Sequence, residues 1–343
     1  MPLTLNVDGD RWRAHLRATA DAYGEIVPVA KGNGYGFGLA SLARRADWLG
    51  TDTVAVGSYA EVPEVLSRFD GDVLVMEPWR PFLPVTYDRR VLHTLSRLRD
   101  ITVLGERPGT RVVVEALTSM ARHGMTRHDL SAAADGLRRG RLLLEGLALH
   151  LPLAGDREPE AEQWAAVLET SRLETRRLWV SHLGPDQLSR LREARPGLTV
   201  RPRVGTALWL GDRGALRVTS TVLDRHQVSR GERLGYRQRA LQRDGTVLVV
   251  AGGTSHGIGL EAPMAAGGVR QRAGALARGG LDAAGVALSP FRVAGKQRWF
   301  VEPPHMQVSM LFVPRGETLP EVGDEVDVEV RYTTTAFDRV LLP

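Results

Sequence analysis

Two lysines stand among the 45 Lys+Arg residues of this chain, Lys31 and Lys296. Arginine can replace lysine as a charge but not as a nucleophile, because a guanidinium stays protonated whereas an amine can lose its proton and condense with a carbonyl. Lys31 sits where an apolar run meets a glycine cluster, VPVAKGNGYGFG, and Tyr35 follows four residues on. Gly32, Gly34, Gly36 and Gly38 let backbone approach a ligand closely, and a phenol at Tyr35 can donate to a phosphate. Position alone fits an ordinary solvated lysine equally well.

The elements that must hold this lysine are legible as a pattern. From residue 25 to about 210, β-branched runs (IVPVAK, TVAVGS, DVLVMEP, RVVVEA, LLEGLALHL, RLWVSHL) alternate with amphipathic stretches (LASLARRADWLG, PEAEQWAAVLETSRLE, PDQLSRLREAR). Near-continuous apolar strands imply burial on both faces, and the number of βα units favours a closed (β/α)8 TIM-type barrel over an open doubly wound sheet. Lys31 then ends the first barrel strand, at the carboxyl mouth where barrels place their sites. After about residue 215 strand signals dominate: VTSTVLD, TVLVVAGG, FRVAG, RWFVEP, QVSMLFV and VDVEVRY, separated by Gly, Pro and Asp turns. This predicts an α/β chain with a barrel over 1–213 and a mostly β domain over 214–343, joined near GDRGALR. The glycine-rich segment 265–285 reads as a loop or short helix, and no internal repeat of fixed period is present.

Composition narrows the partners. A chain of 343 residues, 43% hydrophobic, can bury a large core. Its net charge of +5 comes from arginines interleaved with acids, as in REPEAEQW and RLREARP. Without a basic run or interleaved aromatics these are solvated helix faces, so no nucleic-acid partner is expected. No apolar stretch is long enough for a membrane helix and MPLTLNVDGDRWRAHL lacks the order of a secretory signal, so the expected location is cytoplasmic with no membrane partner. The absence of cysteine excludes disulfides and thiolate metal sites. His123, His128, His182 and His226 show no ligand spacing and read as structural or exposed, and no metal is expected.

The lysine segment resembles the alanine racemase family, whose pyridoxal-phosphate lysine lies in Lys-Ala-Asn-Ala-Tyr-Gly-His-Gly just after the first strand. Further segments are similar in the same order. SMARHG resembles Gly-Met-x-Arg-x-Gly, so the resemblance makes Arg122 the arginine touching the cofactor's phenolic oxygen and the substrate carboxylate. GLALH matches the strand whose histidine packs on the cofactor ring, giving His150. RPRVG resembles Val-Arg-x-Gly, placing Arg203 at the pyridine nitrogen and Gly205 and Thr206 at the phosphate, with Tyr35 and, in an ambiguous register, Tyr332. An arginine there leaves the pyridine nitrogen unprotonated and the ring a weaker electron sink. RGERLGYRQRA resembles the segment whose tyrosine reaches the partner subunit's active site, and PPHMQVSM the segment whose methionine amide binds substrate carboxylate, giving Tyr236 and Met306. The resemblance thus implies a homodimer with shared sites, acting on an amino acid. Lys31 and Tyr236 would be the two bases that racemisation requires on opposite faces of the α-carbon, yielding a D-amino acid from its enantiomer.

Departures fall near the site. The family often carries a carbamate-modified lysine seven residues before the arginine, where this chain has Glu115, an anion expected to orient Arg122. The entrance segment Gly-Tyr-Ala-Asp-Gly is here GGTSHGIG, with Thr254 and His256, and the cysteine and aspartate that flank the family's methionine are here His305 and Gln307. Two carboxylates are lost and two imidazoles gained, so the entrance is expected to tolerate a different substrate, acidic or bulkier, and alanine is one candidate among several. Two rival readings share the architecture. One is a non-racemising member that binds pyridoxal phosphate behind an altered entrance. The other is a decarboxylase of basic amino acids, whose characteristic cysteine this chain does not have.

Overall fold

The computed structural model describes residues 2–260 and 287–343, so the glycine-rich segment 265–285 lies outside the described residues. The chain opens with β1 (Leu3–Val7) and α1 (Gly9–Tyr23), then runs β2 (Val27–Pro28), α2 (Leu39–Trp48), β3 (Thr53–Val56), α3 (Val62–Leu66) and β4 (Asp72–Pro78). There follow β5 (Val91–Leu95), α4 (Leu98–Leu104), β6 (Arg111–Ala116), α5 (Asp129–Arg139), β7 (Leu143–Leu149) and α6 (Arg157–Thr170). β8 (Arg177–Ser181), α7 (Pro185–Ala194), β9 (Thr199–Val204) and α8 (Thr206–Leu210) complete this stretch. Contacts divide the chain into two compact units, one of residues 13–211 and one of residues 1–12 with 212–343.

Strands β2 to β9 form one parallel sheet in which β2 pairs with β9 and the rest pair in sequence order. A parallel bridge between Val29 and Ala55 joins β2 to β3, so the eight strands close into a (β/α)8 barrel. Side-chain pattern explains the two layers. All five residues of β5 and all four of β3 are buried, as strands covered on both faces must be. The helices bury one stripe each: Leu39, Leu42, Ala43 and Ala46 in α2, Leu130, Ala133, Ala134 and Leu137 in α5, and Ala161, Trp164, Ala165 and Leu168 in α6. That i, i+3, i+4, i+7 spacing puts the apolar residues on one helix face. Val27, Val29, Ala55, Leu74, Leu92, Val113, Ala148 and Trp179 pack as a single core cluster among the barrel strands.

The other unit is β-rich. Its strands are β1, β10 (Leu216–Val228), the short hairpin β11 (Arg233–Leu234) and β12 (Arg239–Ala240), β13 (Gly245–Ala251), β14 (Leu288–Val293), β15 (Lys296–Phe300), β16 (Val308–Pro314), β17 (Glu325–Val328) and β18 (Arg339–Leu341). β10 runs 13 residues, with an irregularity between Val222 and Asp224. It pairs with β1 and β17 through its first half and with β13 through its second, which closes β13, β16, β15, β14, β17 and β10 into a ring. Among the described residues no helix is long and apolar enough to cross a membrane.

Candidate functional site

Strand register brings the barrel candidates to one end. Val27 pairs with Arg203, Ser181 with Arg203, Leu149 with Val180 and Ala116 with Leu149, so Lys31, Glu115, His150, His182, Arg203 and Gly205 all lie at or just beyond the carboxyl ends of their strands. These ends are where a parallel barrel presents chemistry. Lys31 is exposed and is followed by a tight turn in which Tyr35 is buried with φ 55°.

The lysine is embedded in a cationic field. Partial burial lowers the pKa of its amine first, the charges of Arg122 and Arg203 lower it further, and Glu61 opposes them. Glu61 also fastens the backbone on both sides: its Oε1 accepts the Gly32 N–H at 2.7 Å, and its Oε2 accepts those of Gly57 at 2.6 Å and Ser58 at 3.1 Å. One carboxylate therefore ties the loop after Lys31 to the loop after β3. Nothing in the spacing of the sequence signals this role.

Arg203 is buried on β9, and its Nη2 donates to the Leu149 carbonyl at 2.8 Å. Its Nε is buried without a partner among the described residues. Burial pushes its pKa down to about 10, against the pull of Glu115, so it stays charged at neutral pH. Gly205 follows, and a Cβ there would stand 2.2 Å from the Tyr35 hydroxyl oxygen, which only a glycine tolerates. Burial, then Glu61, pushes the Tyr35 phenol up to about 12, so it remains a donor. Thr206 is exposed at the start of α8.

Two imidazoles meet beside these groups. His150 is pushed down to about 3 by burial and then by Arg203, Arg122, His182 and Lys31, so it is neutral near pH 7. His182, which sequence spacing leaves among the structural or exposed histidines, stands edge-on to it with ring centroids 5.2 Å apart. Its Nδ1 lies 2.6 Å from the Leu151 carbonyl, an acceptor that fixes the proton on Nδ1. Its backbone has φ 63°, a left-handed position that few residues other than glycine adopt. His123, His128 and His226 are exposed.

Arg122 lies exposed on the loop after β6, whose stem is closed by the Met125 N–H on the Glu115 carbonyl and the Leu117 N–H on the Met125 carbonyl, both at 2.8 Å. Thr118 Oγ1 donates to the His150 carbonyl at 2.6 Å, tying this loop to the end of β7. The expected bond between Glu115 and Arg122 is not made. Glu115 is buried, its Oε2 has no partner among the described residues, and burial raises its pKa while Arg203, Arg122 and Arg80 oppose the rise. It acts on Arg122 through its field, not through a hydrogen bond.

The remaining candidates belong to the β-rich unit. Tyr236 and Met306 are 85% and 72% exposed. The Thr254 N–H donates to the His305 carbonyl at 2.8 Å and the Ser255 N–H to the Met306 carbonyl at 2.9 Å, so the two entrance segments are laced together. Each new imidazole has a carboxylate partner: His256 Nε2 lies 3.1 Å from Asp338 and His305 Nε2 2.7 Å from Glu302. The expected swap of charge at the entrance is thereby offset within this chain. Tyr332 is buried, with the Arg213 guanidinium 4.7 Å from its ring centre.

A family model described as alanine racemase, N-terminal domain, matches residues 7–200. An alanine racemase of a Nitratiruptor species is 28% identical over 147 residues, 42% of this chain and 42% of that protein. The match thus spans about two fifths of the curated relative's length. Among solved structures, alanine racemase from Bartonella henselae with covalently bound pyridoxal phosphate aligns at a TM-score of 0.71 and 17% identity, covering 97% of this chain and 91% of that one. Alanine racemase from Oenococcus oeni aligns at 0.68 and 18%, covering 95% and 88%. At such identities the shared property is the fold.

Proposed function

This chain belongs to the family described as alanine racemase, N-terminal domain, and from that premise we propose that it is a pyridoxal-phosphate-dependent amino acid racemase. The observation that carries the reading is Lys31: an amine with a lowered pKa, at the carboxyl ends of the barrel strands, facing the fields of Arg122 and Arg203.

The residues present fit the cofactor. Lys31 offers the amine that an aldehyde needs, Arg203 offers a buried Nε without a partner among the described residues, and the bare backbone of Gly205 stands directly against the Tyr35 phenol, with no room for a Cβ between them. Lys31 would hold the cofactor covalently, Arg203 would face the ring nitrogen, His150 the ring, and Tyr35, Gly205, Thr206 and Tyr332 the phosphate. When bound, pyridoxal phosphate supplies an electron-withdrawing conjugated system that stabilises charge left on the α-carbon.

The protein's own groups do the rest. Arg122 binds and orients the substrate carboxylate through charge-assisted hydrogen bonds, with the Met306 amide of a second copy of the chain as another donor. Lys31 takes or returns the α-proton at its Nζ on one face; its depressed pKa raises the fraction of neutral amine near pH 7. The Tyr236 hydroxyl serves the other face, delivered by a second copy of the chain in a homodimer. Arg203, charged at neutral pH, withholds a proton from the ring nitrogen, which keeps carbanion character brief.

Purified protein loaded with pyridoxal phosphate, incubated with single amino acids in deuterated water, tests the reading. Loss of chirality with uptake of solvent deuterium at the α-carbon is expected, and Tyr236→Phe should suppress it. Exchange without loss of chirality, or no exchange with any amino acid, would favour a non-racemising member of the family, the reading suggested by Thr254, His256, His305 and Gln307 at the entrance.

A further inference from the structure

Tyr236 rides on a hairpin with little of its own to hold it. β11 and β12 contribute the pairs Arg233 with Ala240 and Leu234 with Arg239, prolonged by the Gly231 N–H on the Leu241 carbonyl and the Leu241 N–H on the Glu232 carbonyl, both at 2.9 Å, and so short a two-stranded ribbon is marginal in water. The loop between them is closed by the Gln238 N–H on the Gly235 carbonyl at 3.2 Å. A phenol that transfers a proton must be held within about 0.5 Å of its productive position, and an exposed side chain on a weak hairpin does not meet that demand unaided.

Glu302 supplies the missing constraint. It is 5% exposed, an unusual place for a carboxylate unless its oxygens are satisfied. Its Oε2 accepts the Tyr236 N–H at 2.9 Å, and its Oε1 accepts from His305 Nε2 at 2.7 Å. The His305 imidazole in turn lies against the Tyr236 ring, centroids 4.7 Å apart and planes inclined at 43°. Backbone and ring of the same tyrosine are thus held by one buried acid, directly and through one histidine. Room for that acid is reserved by Gly235: its φ is 72°, and a Cβ there would stand 2.3 Å from Glu302 Oε2.

Resting on the assignment of Tyr236 as the second proton-transfer group, we propose that Glu302 and His305 form a clamp that positions the Tyr236 phenol for reaction. They are positioning residues. Glu302 fixes where the hairpin carries the tyrosine, and His305 fixes the direction of the ring. An entrance histidine that would otherwise count only as a lost cysteine then has a physical task.

Two readouts test the clamp on the full chain. In protein without cofactor, amide hydrogen exchange at Tyr236 should accelerate about tenfold or more in Glu302→Ala, because its acceptor is gone, and be largely restored in Glu302→Gln, which keeps an oxygen there. In protein loaded with pyridoxal phosphate, Glu302→Ala and His305→Ala should slow solvent-deuterium uptake about tenfold from the one enantiomer that Tyr236→Phe also slows, with KM nearly unchanged. Uptake from the other enantiomer should persist. Should Glu302→Ala fail to fold, His305→Ala carries the uptake comparison by itself, with Glu302→Gln as the variant expected to keep Tyr236 amide exchange near that of the parent. Unchanged Tyr236 amide exchange, or equal slowing for both enantiomers, overturns the clamp. Normal uptake in Glu302→Ala and His305→Ala beside a slowed Tyr236→Phe overturns the clamp alone. A Tyr236→Phe variant that exchanges both enantiomers as the parent does removes the assignment on which the clamp rests.

Discussion

The Tyr35 hydroxyl lies where a side chain on Gly205 would begin, 2.2 Å from the position of a Cβ on that glycine. The two residues come from opposite ends of the barrel sequence, and the pairing of β2 with β9 makes them neighbours. A Gly205→Ala substitution must therefore expel the phenol from its place. Affinity for pyridoxal phosphate, followed by absorbance titration, should fall about tenfold or more in Gly205→Ala. Tyr35→Phe should fall less, since the ring stays and one hydrogen bond goes. Unaltered affinity in Gly205→Ala would remove this pair from the phosphate site.

The charges around Lys31 fix the sign of a pH experiment. Burial, Arg122 and Arg203 lower its pKa, and Glu61 raises it. Removing a cation, as in Arg122→Gln, should move the midpoint for reaction of Lys31 with pyridoxal phosphate to higher pH. Removing the anion, as in Glu61→Gln, should move it lower. The rate of imine absorbance against pH reads both shifts, and movement in the same direction would contradict the field described here.

His93 makes the barrel acid-sensitive. It is 1% exposed on β5, with its Nδ1 2.8 Å from the Tyr59 hydroxyl. Burial pushes its pKa down from 6.5 to about 4. The unfolded chain binds this proton more tightly, so the neutral form favours folding above pH 6.5 and the advantage is lost as pH falls from 6.5 towards 4. Replacing it by Gln should shrink the stability difference between pH 7 and pH 4 by roughly 2–3 kcal/mol. Denaturant unfolding at the two pH values checks this; an undiminished difference would mean that His93 is not responsible.

Gly146 and Gly155 share a positive φ, 147° and 87°, in different surroundings. A Cβ on Gly146 would stand 2.3 Å from Trp179 Nε1, the atom that donates to the Glu145 carbonyl at 3.0 Å, whereas nothing lies within 4 Å of one on Gly155. Gly146→Ala should cost about 2 kcal/mol or more, strain and overpacking together, and Gly155→Ala about 1 kcal/mol from strain alone. Equal unfolding free energies for the two variants would show that the tryptophan yields without cost.

The alternation of apolar runs with amphipathic stretches was enough to read the barrel, because six of its strands carry the near-continuous apolar sequence that strands of a parallel sheet, covered on both faces, require. β5 and β9 were hidden for a physical reason. His93 and Thr94 interrupt the first, and Arg201, Pro202 and Arg203 the second, all of them buried. β1 escaped because its partners are more than 200 residues away, on β10 and β18. At the site, Lys31 and Tyr35 were legible through a local segment. His182 beside His150 was not, since strand pairing and not spacing brings those rings together. Glu61 and Glu302 were missed likewise: each is defined by the backbone N–H groups it accepts, and an accepting carboxylate leaves no periodic trace.

Lys31 is the residue proposed to carry the cofactor, and the scarcity of lysine makes it unusually easy to examine. Only Lys296 competes, and it is held by Glu317 at 2.8 Å in the β-rich unit. Protein incubated with pyridoxal phosphate, reduced with borohydride, digested and mapped by mass spectrometry should carry the pyridoxyl phosphate adduct on the peptide containing Lys31, with none after Lys31→Arg. An adduct on Lys296 alone, or none on either lysine, would exclude Lys31 from that role.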